Sequence, residues 1–243
     1  MKWHENIKVK LSVVVPVYNE ERHIQGVLDR VFATDFPEDV YVEWIFVDDA
    51  STDGTLDILQ KCDAPNIRII RHSYNRGKGA AVQTGFQVAS GEILCIHDAD
   101  LEYDPNDIRD MLEILRNGDY DFICGIRKTM IRENPEYADM RPFHRAVNKF
   151  LTNFCNCFMH NKLQDMECCY KLIRRQLLKR IKLQENRFGI EPELALKLDR
   201  IGARITQHPV AFHPRTAAEG KKINWKDGIS AIRCILKYGL FRS

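Results

Sequence analysis

The sequence has 243 residues, 44% of them hydrophobic, and its 36 basic side chains nearly balance its 34 acidic ones. This length is enough to bury one full core, and a formal net charge of +2 excludes the strongly basic character of a nucleic-acid-binding protein. Eight cysteines occur without a Cys-x-x-Cys pair or a matched set of histidines, which argues against zinc and favours a reducing compartment. We find no apolar signal region and no run long enough to span a bilayer, and we therefore expect a cytoplasmic protein.

The first predicted element is a buried strand at residues 11–17. Its continuous β-branched run is typical of a strand covered on both faces, and Pro16 ends the run because proline cannot donate to a sheet ladder. The chain must then turn and expose Tyr18 and Glu20 before a helical stretch at residues 21–32. These polar side chains therefore lie at the carboxyl end of the strand.

Two further units repeat the order of strand, polar loop and helix. The apolar run at residues 44–47 is closed by Asp48 and Asp49, and the run at residues 67–70 precedes the glycine-flanked Lys78. Such alternation predicts a parallel sheet with crossover helices, that is, an α/β fold. Ligands of open α/β sheets bind beyond the carboxyl ends of the strands, so we expect one crevice to collect these loops.

A fourth apolar run, at residues 93–96, is followed by Asp98 and Asp100, which are one residue apart. Two carboxylates provide the hard oxygen ligands that Mg²⁺ or Mn²⁺ needs when it is bound to a diphosphate. Asp-x-Asp is also common in solvated turns, so this motif alone does not decide between a metal site and a turn. The neighbouring loops make a sugar-nucleotide site the better interpretation.

Four segments, taken in order, resemble the motifs of family 2 glycosyltransferases with the GT-A fold. They are residues 14–20, 47–55, 75–79 and 98–102, and the similarity continues through residues 188–193 and 215–223. The most similar subfamily is that of the polyprenyl-phosphate sugar transferases, of the dolichyl-phosphate mannosyltransferase kind. The resemblance implies one α/β catalytic domain over residues 1–223, with a mixed, mostly parallel sheet flanked by helices. Residues 224–243 would form an amphipathic helix that belongs to this domain or associates with a membrane.

The resemblance also implies a nucleotide-sugar donor and a divalent cation, Mg²⁺ or Mn²⁺. The cation would be held by Asp98, Asp100 and Glu102, and Glu102 stands where relatives often carry glutamine. The other donor-binding residues implied by the resemblance are Pro16, Tyr18, Glu20, Asp48, Asp49, Lys78, Ala99, Arg215 and Lys222. Several of these have simpler alternative roles, because strand-end turns and solvated basic loops use the same residue types.

The acceptor decides the mechanism. A hydroxyl acceptor needs a carboxylate base near the anomeric carbon, whereas a polyprenyl phosphate is already an anion and needs guiding cations. Arg127 and Arg145 match the arginines with which relatives hold an acceptor phosphate, a role that suits a bidentate guanidinium. Asp165 would be the base in a hydroxyl-using enzyme, or a ligand of sugar hydroxyls in a phosphate-using one. Cys169 occupies the usual glycine of this motif, and its side chain could alter the sugar or acceptor pocket.

Our leading hypothesis is an inverting transfer from a GDP- or UDP-linked sugar to a polyprenyl phosphate, with Asp100, Arg127 and Asp165 as candidate catalytic residues. The first alternative is a family 2 transferase that extends a glycan through a hydroxyl acceptor. The second is a non-catalytic module that binds sugar nucleotides. Glu191 and Glu193 are further candidate carboxylates, although acidic residues also stabilise helix N-termini.

Two amphipathic segments, residues 142–160 and 226–242, have basic residues among their apolar ones. This pattern predicts peripheral contact with an anionic membrane surface on the cytoplasmic side. The alternatives are that both stripes pack on the protein's own core or form a homo-oligomer interface. For the Phe-rich first segment we favour the membrane, because a lipid acceptor must reach the site.

Overall fold

The computed structural model describes residues 8–129, 142–215 and 225–241. Within them, seven strands form one sheet in the order β3-β2-β1-β4-β6-β5-β7. The strands are β1 Val9–Val17, β2 Val40–Asp48, β3 Ile67–Arg71, β4 Ile93–Ile96, β5 Phe122–Thr129, β6 Lys171–Arg174 and β7 Ile205–Phe212. The helices are α1 Ile24–Ala33, α2 Thr55–Gln60, α3 Lys78–Val88, α4 Asn106–Asn117, α5 Pro142–Asn156, α6 Arg175–Leu178, α7 Ile190–Arg200 and α8 Trp225–Leu240.

The half of the sheet formed by β1 to β4 is parallel. β1 pairs with β2 and with β4, and β2 pairs with β3. The β-branched run predicted for β1 is buried on both faces, since Leu11, Val13, Val14 and Val15 are inaccessible to solvent. Because parallel strands of one sheet end at the same edge, the loops after these four strands meet there. The predicted α/β architecture is thus confirmed.

The second half of the sheet is mixed, and the sequence pattern did not define it. β6 lies between β4 and β5 and is antiparallel to both, whereas β7 is parallel to β5. Since β6 runs in the opposite direction, it begins beside the end of β4, where Lys171 pairs with Ile96. The segment of residues 163–170 therefore reaches the same edge as the loops after the parallel strands.

The Phe-rich helix packs mainly on the protein itself, so the expectation that its stripe faces a membrane is wrong for most of the stripe. α5 ends at Asn156, four residues before the predicted end. Leu151 and Cys155 are buried and Phe154 packs against the core, while Phe150 is 57% exposed. The physical reason is that α8 contacts both α5 and α7 and closes over the inner face of α5.

The terminal helix has one buried and one exposed apolar face. Ile235 is buried, whereas Ile229, Leu236 and Leu240 are 57%, 38% and 60% exposed. None of the helices in the described ranges has the length and apolar character of a bilayer-spanning segment.

Candidate active site

Three of the loops at the carboxyl edge of the sheet each contain a residue in an unusual backbone conformation. Asn19, Ala50 and Leu101 follow β1, β2 and β4, and their φ angles are 51°, 62° and 62°. Non-glycine residues rarely adopt this left-handed conformation, which clusters at functional sites. Asn19 Oδ1 accepts a hydrogen bond of 2.8 Å from the Thr52 amide, and this bond ties the first two loops together.

A cleft of about 410 Å³ opens at this edge. Eleven of the predicted donor, metal and acceptor residues line it: Pro16, Tyr18, Glu20, Asp49, Lys78, Asp98, Ala99, Asp100, Glu102, Arg127 and Arg215. Asp48, Arg145 and Asp165 do not line it, and Lys222 lies outside the described residues. One cavity therefore brings together most of the predicted site.

The two adjacent aspartates at the end of β2 have different surroundings. Asp48 is fully buried, and its carboxylate accepts the Ser51 amide at 3.3 Å, which makes it a turn-forming residue. Asp49 lines the cleft and accepts hydrogen bonds from the Arg76 and Gly77 amides at 2.8 and 2.7 Å. Asp49 thus fixes the loop after β3 against the loop after β2, and it shapes this end of the cleft.

Lys78 bridges two carboxylates inside the cleft. Its Nζ lies 2.9 Å from Asp98 Oδ1 and 3.0 Å from Glu191 Oε1, and the side chain is 15% exposed. Burial alone would lower the pKa of Lys78, but Asp98 and Glu191 raise it well above its ordinary value. The ammonium is therefore a fixed positive charge, suited to meeting a phosphate at the start of α3.

An acidic cluster surrounds Arg215. The guanidinium lies 3.2 Å from Glu20, 3.2 Å from Asp100 and 3.8 Å from Glu102. Burial and the charges of Asp98 and Glu102 raise the pKa of Asp100 well above its ordinary value. The cluster thus holds more negative charge than the nearby cations neutralise.

This excess of charge fits the divalent cation that the sequence predicts. Among the described residues, no group of three or more acidic, histidine or cysteine side chains is arranged to hold a metal by itself. Mg²⁺ and Mn²⁺ do not need such a group, because they commonly bind one or two carboxylates together with substrate phosphates. Asp98 and Asp100 supply hard oxygen atoms in the cleft, and a bound cation would relieve the repulsion at Asp100.

Arg127 and Asp165 form a closed ion pair. The guanidinium donates two hydrogen bonds of 2.7 Å to the carboxylate, which also accepts the Asn148 amide group at 3.1 Å. Burial would raise the pKa of Asp165, but the guanidinium holds it below its ordinary value. Arg127 lines the cleft, whereas Asp165 lies behind it, and Arg145 is exposed outside the cleft. Asp165 therefore orients Arg127, and its low pKa makes it a weak base.

Glu167 is a cleft residue that the motifs did not identify. Burial, helped by the charge of Glu191, raises the pKa of Glu167 to about 7. The loop that carries Glu167 is held by the fully buried Lys171, which donates hydrogen bonds to the carbonyl groups of Met166 and Cys168. The sequence signal that could have identified Glu167 was its position two residues after Asp165.

Cys169 and Glu193 serve the framework of the site. Cys169 is 2% exposed, its amide donates to Tyr103 Oη at 3.3 Å, and its thiol is hydrogen-bonded to Asp98. Glu193 is inaccessible to solvent, accepts the Gln184 amide at 2.8 Å and pairs with Lys197 at 2.8 Å. Neither side chain lines the cleft.

A model of glycosyl transferase family 2 matches residues 12–182, which is more than half of the chain. The chain belongs to glycosyl transferase family 2. Its relatives within that family include polyprenyl-phosphate sugar transferases. One is the dodecaprenyl-phosphate galacturonate synthase of Rhizobium johnstonii, 31% identical over 84% of this chain and 60% of that protein. Another is the dolichyl-phosphate beta-glucosyltransferase of Dictyostelium discoideum, 26% identical over 89% of this chain and 69% of that protein.

Curated relatives of this family 2 chain are mostly longer than it is: it spans 34%, 60% and 69% of three of them. A solved structure of glucosyl-3-phosphoglycerate synthase from Mycobacterium tuberculosis, in complex with Mn²⁺, UDP and glucosyl-3-phosphoglycerate, superposes with a TM-score of 0.69. It is 20% identical and the match covers 97% of this chain and 82% of that one. At this identity the likeness establishes a shared fold, and the predicted GT-A-like architecture is confirmed.

Proposed function

We propose that this chain is an inverting glycosyltransferase that moves a sugar from a GDP- or UDP-linked donor to a polyprenyl phosphate. The observation that carries the proposal is the state of the pair Arg127 and Asp165. Asp165 would be the base in a transferase with a hydroxyl acceptor, whereas its carboxylate is occupied by Arg127 and its pKa is lowered. A guanidinium in the cleft is suited to an acceptor that is already an anion.

The donor would lie along the loops after β1 to β4. Tyr18 and Asp49 line the part of the cleft that suits the nucleoside, and Lys78 and Arg215 supply positive charge for the diphosphate. A divalent cation bound by Asp98 and Asp100 would neutralise the charge that develops on the leaving diphosphate. Lys222 would add to this charge, as the family resemblance implies.

The acceptor phosphate would be held by the guanidinium of Arg127. One of its oxygen atoms forms a bond to the anomeric carbon while the bond from that carbon to the diphosphate oxygen breaks with its electron pair. The products are a glycosyl-phospho-polyprenol and a nucleoside diphosphate. A single displacement inverts the anomeric configuration and requires no proton transfer from the acceptor. Arg145, exposed on α5, would guide the acceptor rather than hold it in the reacting position.

The proposal extends to a peripheral position on the cytoplasmic face of a membrane, where a polyprenyl phosphate is accessible. Ile229, Leu236 and Leu240 form an exposed apolar stripe on α8, which we call the α8 stripe. Arg233 and Lys237 lie on the same helix, and basic amphipathic helices bind anionic lipid surfaces. Eight free cysteines suit a reducing compartment.

The proposal is tested by measuring transfer from UDP- and GDP-sugars, with Mg²⁺ or Mn²⁺, to a short polyprenyl phosphate. The matched comparison is the same lipid capped with a sugar, which offers only hydroxyl groups. We expect product on the phosphate and none on the capped lipid. Product on the hydroxyl acceptor alone would favour the glycan-extending alternative, and donor binding without any product would favour the non-catalytic module.

A further inference from the structure

Two carboxyl groups in the cleft each have one oxygen atom that accepts no hydrogen bond from the described residues. Glu191 Oε2 and Glu167 Oε1 are buried atoms that have no hydrogen-bond partner among the described residues, and both residues line the cleft. The described ranges contain four such side-chain atoms, and one of the other two, Arg215 Nε, also belongs to a cleft residue. Buried polar atoms are normally satisfied, so this concentration in one cavity indicates a polar ligand.

The position of the pair identifies which part of the ligand it meets. Lys78 Nζ contacts Asp98 at 2.9 Å and Glu191 at 3.0 Å, so a single ammonium separates the proposed diphosphate end from Glu191. Glu167 lines the same cleft as Glu191, whose charge contributes to its raised pKa. A sugar attached to a diphosphate at Asp98 would therefore be the next group along the cleft.

We infer that Glu167 and Glu191 form the subsite for the hydroxyl groups of the transferred sugar, and that this subsite selects an uncharged hexosyl group over a uronosyl group. The inference rests on the proposed function, because it assumes a sugar nucleotide in the cleft. Carboxyl oxygens accept hydrogen bonds from sugar hydroxyls, and two adjacent carboxyls can serve neighbouring hydroxyls.

The charges explain the exclusion of a uronosyl group. Its carboxylate would enter a cleft where the charge of Glu191 already helps to raise the pKa of Glu167 to about 7, and burial near like charge disfavours every additional anion. Lys78 could offset such a charge, but its ammonium is already shared by Asp98 and Glu191. An uncharged hexosyl group brings hydroxyl groups, which can donate hydrogen bonds to the unpartnered oxygens without adding charge.

Rigid packing makes the subsite selective. Lys171 holds the carbonyl groups on both sides of Glu167, and Glu191 is 4% exposed in the first turn of α7. The backbone that carries Glu167 is therefore fixed, and Glu191 is held by its ion pair with Lys78. Preorganised polar groups discriminate strongly because a wrong ligand leaves them unpaired.

The experiment measures donor binding by isothermal titration calorimetry, with Mn²⁺ present and without acceptor. The probes are UDP, UDP-glucose and UDP-glucuronate, with GDP, GDP-mannose and GDP-mannuronate as the second series. We expect the wild-type chain to bind the uncharged hexosyl donor at least tenfold more tightly than the uronosyl donor of the preferred series. Glu167→Ala should weaken hexosyl-donor binding about tenfold while leaving the nucleoside diphosphate unchanged.

Glu167→Gln keeps the shape of the side chain but cannot ionise, whereas Glu167 is charged above its pKa of about 7, so the preference against the uronosyl donor at pH 8 should shrink in the variant. Glu92→Gln is the matched control, because Glu92 is an exposed glutamate at the opposite end of β4. Equal binding of both donors by the wild-type chain would overturn the inference. So would a Glu167→Gln variant with unchanged donor binding but a kcat reduced 100-fold, which would identify a base.

Failure of the proposed function is distinguishable from failure of this inference. Tighter binding of the hexosyl donor without transfer to a polyprenyl phosphate would support the subsite and contradict the proposed acceptor. Absence of binding for every sugar nucleotide would overturn both proposals.

Discussion

Arg127 and Asp165 are joined by two parallel hydrogen bonds of 2.7 Å, from Nε and from one terminal nitrogen of the guanidinium. The pair is held further by the Asn148 amide group, and Arg127 stacks over the ring of Phe212 at 5.2 Å from its centroid. Bidentate pairs of this kind fix the plane of the guanidinium. The remaining N–H groups of Arg127, on Nη1 and on the outer side of Nη2, are thereby oriented for an anionic acceptor.

This relationship predicts the effect of Asp165→Asn. We expect a rise in the KM for the acceptor and a kcat reduced by less than about tenfold, because the variant disturbs a positioning residue. Loss of a general base would instead reduce kcat by about 10²- to 10⁴-fold. Steady-state kinetics over a range of pH checks this, and Asn148→Ala, which removes a smaller contact to the same carboxylate, is the companion variant.

Asp100→Asn should abolish transfer without loss of folding stability. The charges of Asp98 and Glu102 disfavour ionised Asp100, so neutralising it relieves repulsion, although one contact to Arg215 is weakened. In the absence of metal we expect a melting temperature equal to or slightly above that of the wild type. Mn²⁺ with UDP should raise the melting temperature of the wild type and of the exposed-site control Asp110→Asn, but not that of Asp100→Asn. A clearly destabilised metal-free variant would contradict the assignment.

The contribution of Glu167 to the stability of the chain should fall as pH rises from about 5 to 7. The pKa of Glu167 is raised from 4.5 to about 7, mainly by burial, with Glu191 and Asp165 adding to the shift and Arg127 and Lys171 opposing it. A carboxyl group whose pKa is raised by folding stabilises the fold below its unfolded value and loses that contribution as pH rises to the folded value. We expect a change of about 1–3 kcal/mol in the free energy of unfolding.

Glu167→Gln isolates this effect, because glutamine does not titrate. In the variant the remaining pH dependence comes from Asp107, with a pKa raised to about 6 by burial, and from His97, with a pKa lowered to about 4 by burial, and these two contributions have opposite signs. Urea unfolding at a series of pH values measures the stability of both proteins. The difference in stability between the wild type and Glu167→Gln decides, because His97, whose pKa burial lowers from 6.5 to about 4, contributes with the opposite sign in both proteins. A difference that stays constant between pH 5 and 7 would show that Glu167 is not a protonated buried group.

The α8 stripe should bind lipid. Leu236→Ser and Leu240→Ser each remove an exposed apolar side chain, and burial of such a group in a membrane is worth about 1.5–3 kcal/mol. We expect at least tenfold weaker partitioning of the double variant to vesicles that contain anionic lipid, with unchanged donor binding. Phe32→Ser is the control, since Phe32 is 55% exposed on α1. Equal losses in both variants would remove the membrane assignment of the stripe.

The parallel half of the sheet could be predicted because its strands are continuous apolar runs with polar residues directly after them. The run at Leu11–Val17 is buried on both faces, and the loops after β1 to β4 meet in one cleft, as the pattern requires. The same pattern could not separate Asp48 from Asp49. Adjacent strand residues point to opposite faces, and which face borders the cleft is set by the turn that follows.

The remaining part of the site depends on contacts between distant segments. β6 enters the sheet against the direction of its neighbours, and this reversal brings Glu167 into the cleft and Asp165 behind it. No local periodicity encodes that reversal, since Lys171 is a charged residue at a fully buried strand position. The prediction for the inner face of α5 was wrong for a similar reason, because an apolar stripe can pack against a helix such as α8 as well as against a membrane.

The most direct test of the account is the KM for a short polyprenyl phosphate in Asp165→Asn compared with the double variant Arg127→Ala/Asp165→Asn. The single variant is the proper reference, because removal of Arg127 alone would leave a buried carboxylate unpaired and could destabilise the fold. We predict that the double variant has a KM about 30- to 100-fold higher, the loss of a charged bidentate contact, with the Kd for the donor unchanged. Equal acceptor KM values in the two variants would contradict the claim that Arg127 holds an acceptor phosphate.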